Sequence, residues 1–307
     1  MTGAATRVVV AGEALVDVLG DVTRPGGASL NVAVGVGRLG SNVAWLGPVG
    51  SDEAGELIVR HLAHAGVATH AVVVAAGSTT RATVEVDAVG HPRYHFEVDG
   101  TSCDRVALTS TSIEGAHVLC VVGGAIAFDR APLGTSLVEL VRSSPTPVWL
   151  DPNVRRGAST DPLSYARLVD ELVSVAALVK TSTEDLGLLC PSEDPWSVAR
   201  RWSQSGPSMV VVTDGSAGLT AVRATGQRVH VPALAVEVVD TVGAGDAVTA
   251  ALLHWGSARG ALDANGLAGQ GDDDVRGALR LAARAAAIAC SRQGSDPPTA
   301  VELMGRG

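Results

Sequence analysis

The chain has 307 residues, of which 46% are hydrophobic and 18% charged, a balance that predicts a folded protein rather than a disordered one. A formal net charge of −9 without basic clusters argues against nucleic acid or an anionic membrane as a partner. The four cysteines are too widely spaced for a C-x-x-C pair, so we expect reduced thiols. No signal peptide is visible, and no stretch reaches the roughly 20 apolar residues of a spanning helix, which predicts a cytoplasmic protein.

Short apolar, β-branched runs recur along the chain and alternate with segments of helical spacing. This alternation predicts a mostly parallel sheet that is covered by helices on both faces. We therefore expect a doubly wound α/β domain that spans residues 1–307. The predicted strands are Arg7 to Ala11, Val43 to Leu46, His117 to Val122, Val148 to Asp151, Ala177 to Lys180 and Met209 to Thr213.

One segment breaks this alternation. Residues 83–98 alternate between apolar and polar side chains around a turn at residues 89–92, which predicts a β-hairpin. Together with residues 16–24, the hairpin would form a small β-sheet that stands off the main domain as a lid, over about 16–25 and 79–100. The alternative is that the hairpin lies at an edge of the main sheet.

A polar stretch near the C-terminus, residues 265–274, predicts a flexible loop. It ends in three aspartates, Asp272 to Asp274, at the start of an Ala-rich helix predicted over residues 275–291. We expect these carboxylates to cap that helix and to compensate its dipole.

The most informative segment reads VVDTVGAGDAVTAALL over residues 238–253, where a strand-like run enters Gly243, Ala244 and Gly245 and leaves as an apolar helix. The glycines let successive N–H groups converge on an anion at the positive end of the helix, which predicts a phosphate cradle. Asp246 lies at the mouth of this cradle. It is either a base that takes a proton from an attacking hydroxyl or an ordinary N-cap.

Two distant signatures resemble the ribokinase-like (PfkB) carbohydrate kinases. DTVGAGD at residues 240–246 looks like the C-terminal signature of the family, and GGASLNVA at 26–33, followed by RLG at 38–40, looks like the upstream one. The resemblance, closest to the fructokinase branch, implies a ribokinase-like fold and transfer of the γ-phosphate of ATP to a terminal hydroxyl of a small sugar. It implies that Asp246 is the catalytic base and that residues 243–245 hold the phosphate. Weaker matches lie at residues 12–17, 47–50, 151–155, 213–218 and 292–294.

The resemblance also implies the residues that bind the sugar. Asp17 would accept hydrogen bonds from two sugar hydroxyls. Without the resemblance, Asp17 would be interpreted as a surface carboxylate. Gly26 and Gly27 would let the backbone approach the ligand, and Asn31 offers both a donor and an acceptor. The other residues predicted to bind the sugar are Tyr94, Phe96, Asn153, Arg155 and Asp246 itself. Arg156 is adjacent to Arg155 and is an alternative to it.

The residues predicted to bind ATP are Lys180, Ser182, Thr213, Gly215, Gly218, Gly243 and Gly245. Family members often carry Asn-x-x-Glu after a strand that ends in Lys, whereas this chain places Ser182 and Asp185 at the matching positions. The resemblance implies Mg²⁺, which Asp185 would assist through water. It leaves open whether K⁺ binds near Asp240, and whether the chain forms a homodimer through the lid.

Within the family, fructokinase is the expected activity, because GEALVD, the Tyr94-His95-Phe96 stretch and DPNVR look most like that branch. A 2-keto-3-deoxygluconate kinase is the alternative, since Arg93, Tyr94 or Arg155 could meet a sugar-acid carboxylate; ribokinase and nucleoside kinase follow. A hypothesis of another class is a non-catalytic sugar-binding regulator on the same fold. The retained Asp246 and glycine cradle argue against it.

Overall fold

A nine-stranded, mostly parallel sheet forms the centre of the computed structural model, which describes residues 7–86, 92–124, 126, 128–157 and 159–305, with the backbone alone for 84–86, 92–94 and 111–112. The strands in chain order are β1 (Arg7–Ala11), β2 (Leu15–Leu19), β3 (Val22–Gly26), β4 (Asn42–Gly50), β5 (Val72–Ala75), β6 (Arg81–Val86), β7 (Pro92–Glu97), β8 (Val118–Val122), β9 (Val148–Asp151), β10 (Leu178–Ser182), β11 (Met209–Thr213), β12 (Leu219–Arg223) and β13 (Arg228–Val231). The helices are α1 (Ala28–Arg38), α2 (Glu53–His64), α3 (Leu133–Ser143), α4 (Pro162–Val175), α5 (Thr183–Leu189), α6 (Pro195–Ser203), α7 (Ala244–Arg259), α8 (Ala264–Ala268), α9 (Asp272–Cys290) and α10 (Ala300–Met304).

The large sheet has the order β13-β12-β11-β10-β9-β8-β1-β4-β5. From β11 to β5 neighbouring strands are parallel, whereas β12 and β13 are antiparallel additions at one edge. All parallel strands therefore end at one edge of the sheet, where open α/β sheets bind their ligands. The predicted doubly wound α/β fold is confirmed, and each predicted strand is present within three residues of its expected bounds or as part of a longer strand.

The sheet is buried on both faces, which explains why its strands read as continuous apolar runs instead of alternating ones. Val8, Val9 and Val10 of β1 are all fully buried although their side chains point to opposite faces. One hydrophobic core lies beneath α1, α2, α7 and α9, and a second lies beneath α3, α4 and α6. No helix in the described ranges is long and apolar enough to cross a membrane.

The predicted hairpin belongs to a separate four-stranded sheet of order β3-β2-β6-β7. β6 and β7 pair antiparallel, and β2 pairs parallel with β6, so the alternative of an edge hairpin of the main sheet is wrong. The tip of the turn, residues 87–91, lies outside the described residues. The role of this small sheet as a lid stays a prediction.

The predicted loop at residues 265–274 is wrong in part. Residues Ala264–Ala268 form the short helix α8, whose first turn is capped by the Asp263 carboxylate accepting from the N–H of Gly266 at 2.7 Å. Helix α9 begins at Asp272, three residues before the predicted start. The three aspartates form its first turn, and Asp274 accepts from the N–H of Gly271 at 3.3 Å, which confirms a capping role for Asp274, whereas Asp272 accepts from the Arg223 side chain at 2.9 Å.

The small sheet is joined to the main domain through Asp52, the N-cap of α2. Its carboxylate accepts from the N–H of Gly55 at 3.0 Å and from the hydroxyl and N–H of Thr79, just before β6, at 2.6 and 3.1 Å. Partial burial raises the pKa of Asp52, but the hydrogen bonds from Thr79 and Gly55 outweigh burial and hold the pKa below its usual 3.8. The charged form is therefore the one that stabilises the fold.

We predict that Asp52→Ala lowers the free energy of unfolding by about 1–2 kcal/mol at neutral pH, because it removes a helix cap and leaves Thr79 without its acceptor. Since the pKa of Asp52 is lowered by folding, the stabilisation is complete above the unfolded pKa of 3.8 and is lost as the pH falls through the folded value. Urea unfolding at pH 7 and at pH 3 measures both effects. Asp52→Asn, which keeps a capping oxygen, is the control and should lose less; equal stabilities for wild type and Asp52→Ala would contradict the assignment.

Candidate active site

Asp246 lies in the first turn of α7, at the edge where the parallel strands end. The N-cap of α7 is Gly243, so the interpretation of Asp246 as an N-cap is wrong. Its carboxylate instead accepts a hydrogen bond from Nδ2 of Asn31 in α1 at 2.8 Å. A carboxylate that caps no helix and faces the cleft is available to accept a proton.

The pKa of Asp246 is raised from 3.8 to about 6, mainly by burial among protein atoms. The hydrogen bond from Asn31 and the charges of Lys180 and Arg155 lower it, while the charge of Asp151 raises it. A pKa near 6 leaves the side chain ionised at neutral pH and more basic than an exposed aspartate. Both properties suit a general base.

The glycine cradle has the geometry of an anion site. Gly243 adopts a left-handed conformation with φ 78°, which favours glycine. A Cβ at this position would also overlap the side chain of Ser295. No side chain in the described residues caps the N-terminus of α7; the N–H of Ala244 donates to the carbonyl of Thr241 at 3.3 Å, whereas no acceptor is found among the described residues for the N–H groups of Gly245 and Asp246. These N–H groups and the positive end of the helix dipole fit a phosphate.

Beneath the cradle lies a buried ion pair. Nζ of Lys180 is 3.1 Å from Oδ2 of Asp151, and Thr249 of α7 donates to the same carboxylate oxygen at 2.8 Å. The backbone of α7 is thus tied to the ends of β9 and β10. Sequence reasoning predicted no role for Thr249 and placed Asp151 only within a weak motif, because neither residue signals its burial by itself.

Asp17 lies on β2 of the small sheet and carries a half-buried carboxylate. Burial raises its pKa to about 6, and no hydrogen bond or ion pair to this carboxylate is found among the described residues. Gly26, on the neighbouring strand β3, leaves the space that the Asp17 carboxylate occupies, since a Cβ at Gly26 would overlap Oδ2. A desolvated carboxylate without a protein partner is costly and is expected to find its partner in a ligand.

Gly27 and Asn31 place α1 against the cleft. Gly27 is the N-cap of α1 with φ 105°, a conformation that favours glycine, and a Cβ there would lie 3.1 Å from the backbone at Glu13 and Ala14. Backbone crowding therefore explains Gly27, whereas Gly26 leaves room for the Asp17 carboxylate. It brings Asn31 and Asp246, which are 215 residues apart, into direct contact.

Asn153 and Arg155 follow the end of β9. Asn153 is buried, has φ 41° and donates weakly to the carbonyl of Gly123 at 3.4 Å, and such a strained conformation is common at functional sites. Arg155 is exposed, and its charge lowers the pKa of Asp246. This effect favours Arg155 over Arg156 as the residue that faces the site.

Of the two aromatic residues predicted for the sugar site, only one side chain is described. Phe96 of β7 is 37% exposed on the small sheet. The backbone of Tyr94 pairs with Val84, but its side chain lies outside the described part of the structure. Contact of either ring with a sugar stays a prediction.

The predicted nucleotide side contains a capping box. Ser182 caps α5, and the Asp185 carboxylate accepts from the N–H and hydroxyl of Ser182 at 2.9 and 2.8 Å. Its other oxygen accepts from the N–H of Val154 at 2.8 Å. Asp185 therefore connects β10 to the segment that carries Arg155, and its role toward magnesium stays a prediction.

Further along the same edge, the turn after β11 carries the remaining residues predicted to bind ATP. The Thr213 hydroxyl donates to the carbonyl of Thr181 at 3.3 Å, and Gly215 is exposed. Gly218 has φ 104°, and a Cβ there would overlap the carbonyl of Val231, so glycine is required for the turn itself. The carbonyl of Gly215 accepts from the N–H of Gly218 at 3.2 Å, and a contact of this turn with ATP stays a prediction.

Magnesium is the metal that the resemblance implies. Among the residues that the structure describes, no three His, Cys, Asp or Glu side chains converge as a metal cage. Mg²⁺ needs no such cage, because it is usually held by one or two carboxylates together with substrate phosphates. Asp185, acting through water, is the residue that the resemblance implies for this ion, and its two oxygens already accept hydrogen bonds from Val154 and Ser182.

Comparison with known proteins agrees with this geometry. The model of the pfkB family carbohydrate kinases matches residues 5–301. A fructokinase from Klebsiella pneumoniae is 33% identical over 269 residues, which are 84% of this chain and 86% of that protein. The crystal structure of a fructokinase with bound ATP from Xylella fastidiosa has a TM-score of 0.88 and 26% identity over 98% of both chains. A ribokinase from Thermotoga maritima, 20% identical, shares the fold with a TM-score of 0.77 over 98% of both chains.

The fold and the site therefore define an ATP-dependent carbohydrate kinase. The chain belongs to the pfkB family of carbohydrate kinases. The predictions of a ribokinase-like fold, and of a sugar and ATP as small-molecule ligands, are confirmed at this level. The roles of individual site residues stay predictions.

We predict that Asp17→Ala raises KM for the sugar about tenfold or more while KM for ATP changes little, because a charged hydrogen-bond partner is typically worth about 1.5–3 kcal/mol. Steady-state kinetics with each substrate varied in turn measure the two effects separately. Asp17→Asn, which keeps the shape and one acceptor, is the control and should lose less. Equal changes in both KM values would mean that Asp17 acts only on the structure.

Proposed function

We propose that this kinase is a fructokinase, which transfers the γ-phosphate of ATP to a terminal hydroxyl of fructose. The observation that carries the catalytic part is Asp246, a carboxylate at the mouth of an uncapped helix N-terminus with a pKa of about 6. The sugar is supported by the relatives, since the Klebsiella pneumoniae and Xylella fastidiosa proteins are both named fructokinase.

The mechanism follows from the placement of these groups. Asp17 and Asn31 would orient the sugar so that one hydroxyl faces Asp246, which accepts its proton as the oxygen attacks the γ-phosphorus. The N–H groups at the start of α7 would stabilise the negative charge that spreads over the transferred phosphoryl oxygens. Mg²⁺, when bound, supplies further neutralisation of the phosphate charge.

The position of the small sheet supports its closure over the bound sugar. β2 carries Asp17 and β3 ends at Gly26, directly before the N-cap of α1, so a sugar held by Asp17 and Asn31 would draw the small sheet onto the main domain. Closure would exclude water, which competes with the sugar hydroxyl as acceptor. We infer that the sugar binds between the two sheets.

A kinase for a sugar acid, such as 2-keto-3-deoxygluconate, is the second candidate because Arg155 is exposed beside the site. We expect fructose to give the highest kcat/KM in a panel that also contains 2-keto-3-deoxygluconate, ribose, tagatose and adenosine. An assay of ATP consumption with each acceptor measures this preference. A higher kcat/KM for the sugar acid would reject fructose and leave the kinase assignment in place, whereas no turnover with any acceptor would favour a binding protein.

The catalytic role of Asp246 is tested by Asp246→Asn, which keeps the side-chain volume and can still pair with Asn31. General-base catalysis contributes roughly 10²–10⁴ in rate, so we expect kcat to fall at least a hundredfold while ATP binding is retained. Activity of the wild type should rise with pH through about 6, since the base must be ionised. Near-normal turnover of a folded Asp246→Asn variant would defeat the mechanism, and circular dichroism of the same sample establishes that it is folded.

A further inference from the structure

The buried ion pair of Lys180 and Asp151 lies directly beneath the anion cradle. Lys180 is 4% exposed and Asp151 is fully buried. Nζ lies 3.1 Å from Oδ2 and 3.3 Å from Oδ1 of the same carboxylate, so the ammonium group faces both oxygens. Taking two charges out of water is costly, and such a pair is retained where the charge has a use.

The position of the Lys180 ammonium indicates what its charge does. A Cβ at Gly245 would lie 3.0 Å from Nζ of Lys180, so the ammonium rests against the backbone of the cradle from the protein side. Glycine at 245 therefore leaves room for the ammonium, since a Cβ there would be in tight contact with it. A larger residue would push the lysine or the loop out of place.

Asp151 fixes the ammonium and the helix together. Its Oδ2 also accepts the Thr249 hydroxyl at 2.8 Å, and Thr249 lies one turn after Gly245, to whose carbonyl the same hydroxyl is 3.3 Å. One carboxylate at the end of β9 thus holds the side chain from β10 and the first turns of α7. The orientation of the cradle relative to the sheet depends on this contact.

One neutral and three charged side chains act on Asp246. Asn31 of α1 donates a hydrogen bond to it, Lys180 of β10 and Arg155 after β9 bring positive charge, and Asp151 at the end of β9 brings negative charge. Burial disfavours the ammonium, but the neighbouring carboxylates outweigh it and raise the pKa of Lys180, so the lysine is charged at neutral pH. The pair then acts on Asp246 as a dipole whose positive end is Lys180.

We propose that Lys180, held by Asp151, is a positioning residue that orients the phosphate cradle and sets the charge state of Asp246 from inside the protein, instead of binding ATP as a ligand in the cleft. The proposal rests on the proposed kinase function, and it assigns to Lys180 a different role from the nucleotide contact that the sequence predicts. A direct ligand would act on ATP affinity. A positioning residue acts on turnover and on the ionisation of Asp246.

Two variants separate these roles. Asp151→Asn keeps the ammonium and removes the negative charge, whereas Lys180→Met combined with Asp151→Asn removes both charges, so that neither is left buried without its partner. Protein labelled with [4-¹³C]aspartate reports the titration midpoint of Asp246 by NMR, and Asp246→Asn identifies its resonance. Thr249→Val is the matched control, because it removes a neutral hydrogen bond to the same Asp151 oxygen and changes no charge.

We expect the midpoint of Asp246 to fall in Asp151→Asn and to rise in the double variant, with a difference of about 1 pH unit between them, as a single nearby charge typically gives. Thr249→Val should keep the wild-type midpoint. Equal midpoints in Asp151→Asn and the double variant overturn the electrostatic part of the proposal. If the double variant does not fold, Lys180→Gln with Asp151→Asn replaces it.

Kinetics and calorimetry test the positioning part. At pH 8, where Asp246 is ionised in every variant, the double variant should lose about tenfold to a hundredfold in kcat, because a displaced cradle no longer holds the γ-phosphate in line. The Kd for ATP should change less than about threefold. A Kd raised about tenfold or more with kcat retained would make Lys180 a direct ligand and overturn the proposal.

Failure of the proposed kinase function can be distinguished from failure of the inference about Lys180. A wild-type protein that transfers phosphate to none of the sugars would defeat the proposed function, but the NMR midpoints need no turnover and would still test the charge network. A wild type that phosphorylates fructose, with midpoints and kcat unchanged in the double variant, would leave the function intact and reject the inference.

Discussion

The close packing of α1 against α7 is the contact on which the site depends. A Cβ at Gly35 would lie 2.6 Å from the Cβ of Ala250, so only glycine allows the two helices to approach this far. One turn earlier on each helix stand Asn31 and Asp246, whose side chains meet at 2.8 Å. A wider separation would break that hydrogen bond and remove the group that orients the base. The two signatures at opposite ends of the sequence are therefore two halves of one helix interface.

Asp151 and Asp246 lie at the same edge of the sheet but have different neighbours. Asp151 is surrounded by donors, a lysine ammonium and a threonine hydroxyl, and is bound to its neighbours. Asp246 receives one amide hydrogen bond and is otherwise crowded by protein atoms, which raises its pKa to about 6. Burial raises the pKa of both carboxylates, but Asp151 is in direct contact with the Lys180 ammonium, whereas Asp246 accepts from the neutral amide of Asn31 and is the one placed to take a proton. The two aspartates differ in role because their neighbouring groups differ.

The sequence predicted the elements with strong local signals and missed those set at long range. Buried strands such as β1 were predicted because continuous β-branched runs have few other uses, and the small sheet was predicted because its hairpin alternates. α8 was missed because its signal is a single capping aspartate, Asp263, in a polar stretch. The burial of Lys180 could not be predicted, since it depends on Asp151 from another strand. The N-cap interpretation of Asp246 was wrong because α7 already begins at Ala244, with Gly243 as its N-cap.

The charges around the cleft bear on the choice of sugar. In the proposed site, Asp17 and Asp246 would both face the sugar as carboxylates whose pKa values are raised by burial, so the site would hold two negative charges that lack full compensation. A neutral polyol donates hydroxyls to such carboxylates and relieves their desolvation. A sugar acid would bring a third negative charge and would need the Arg155 guanidinium for itself. Because the charge of Arg155 already acts on Asp246, an acid that recruited it would also raise the pKa of the base. This balance favours a neutral sugar as the acceptor.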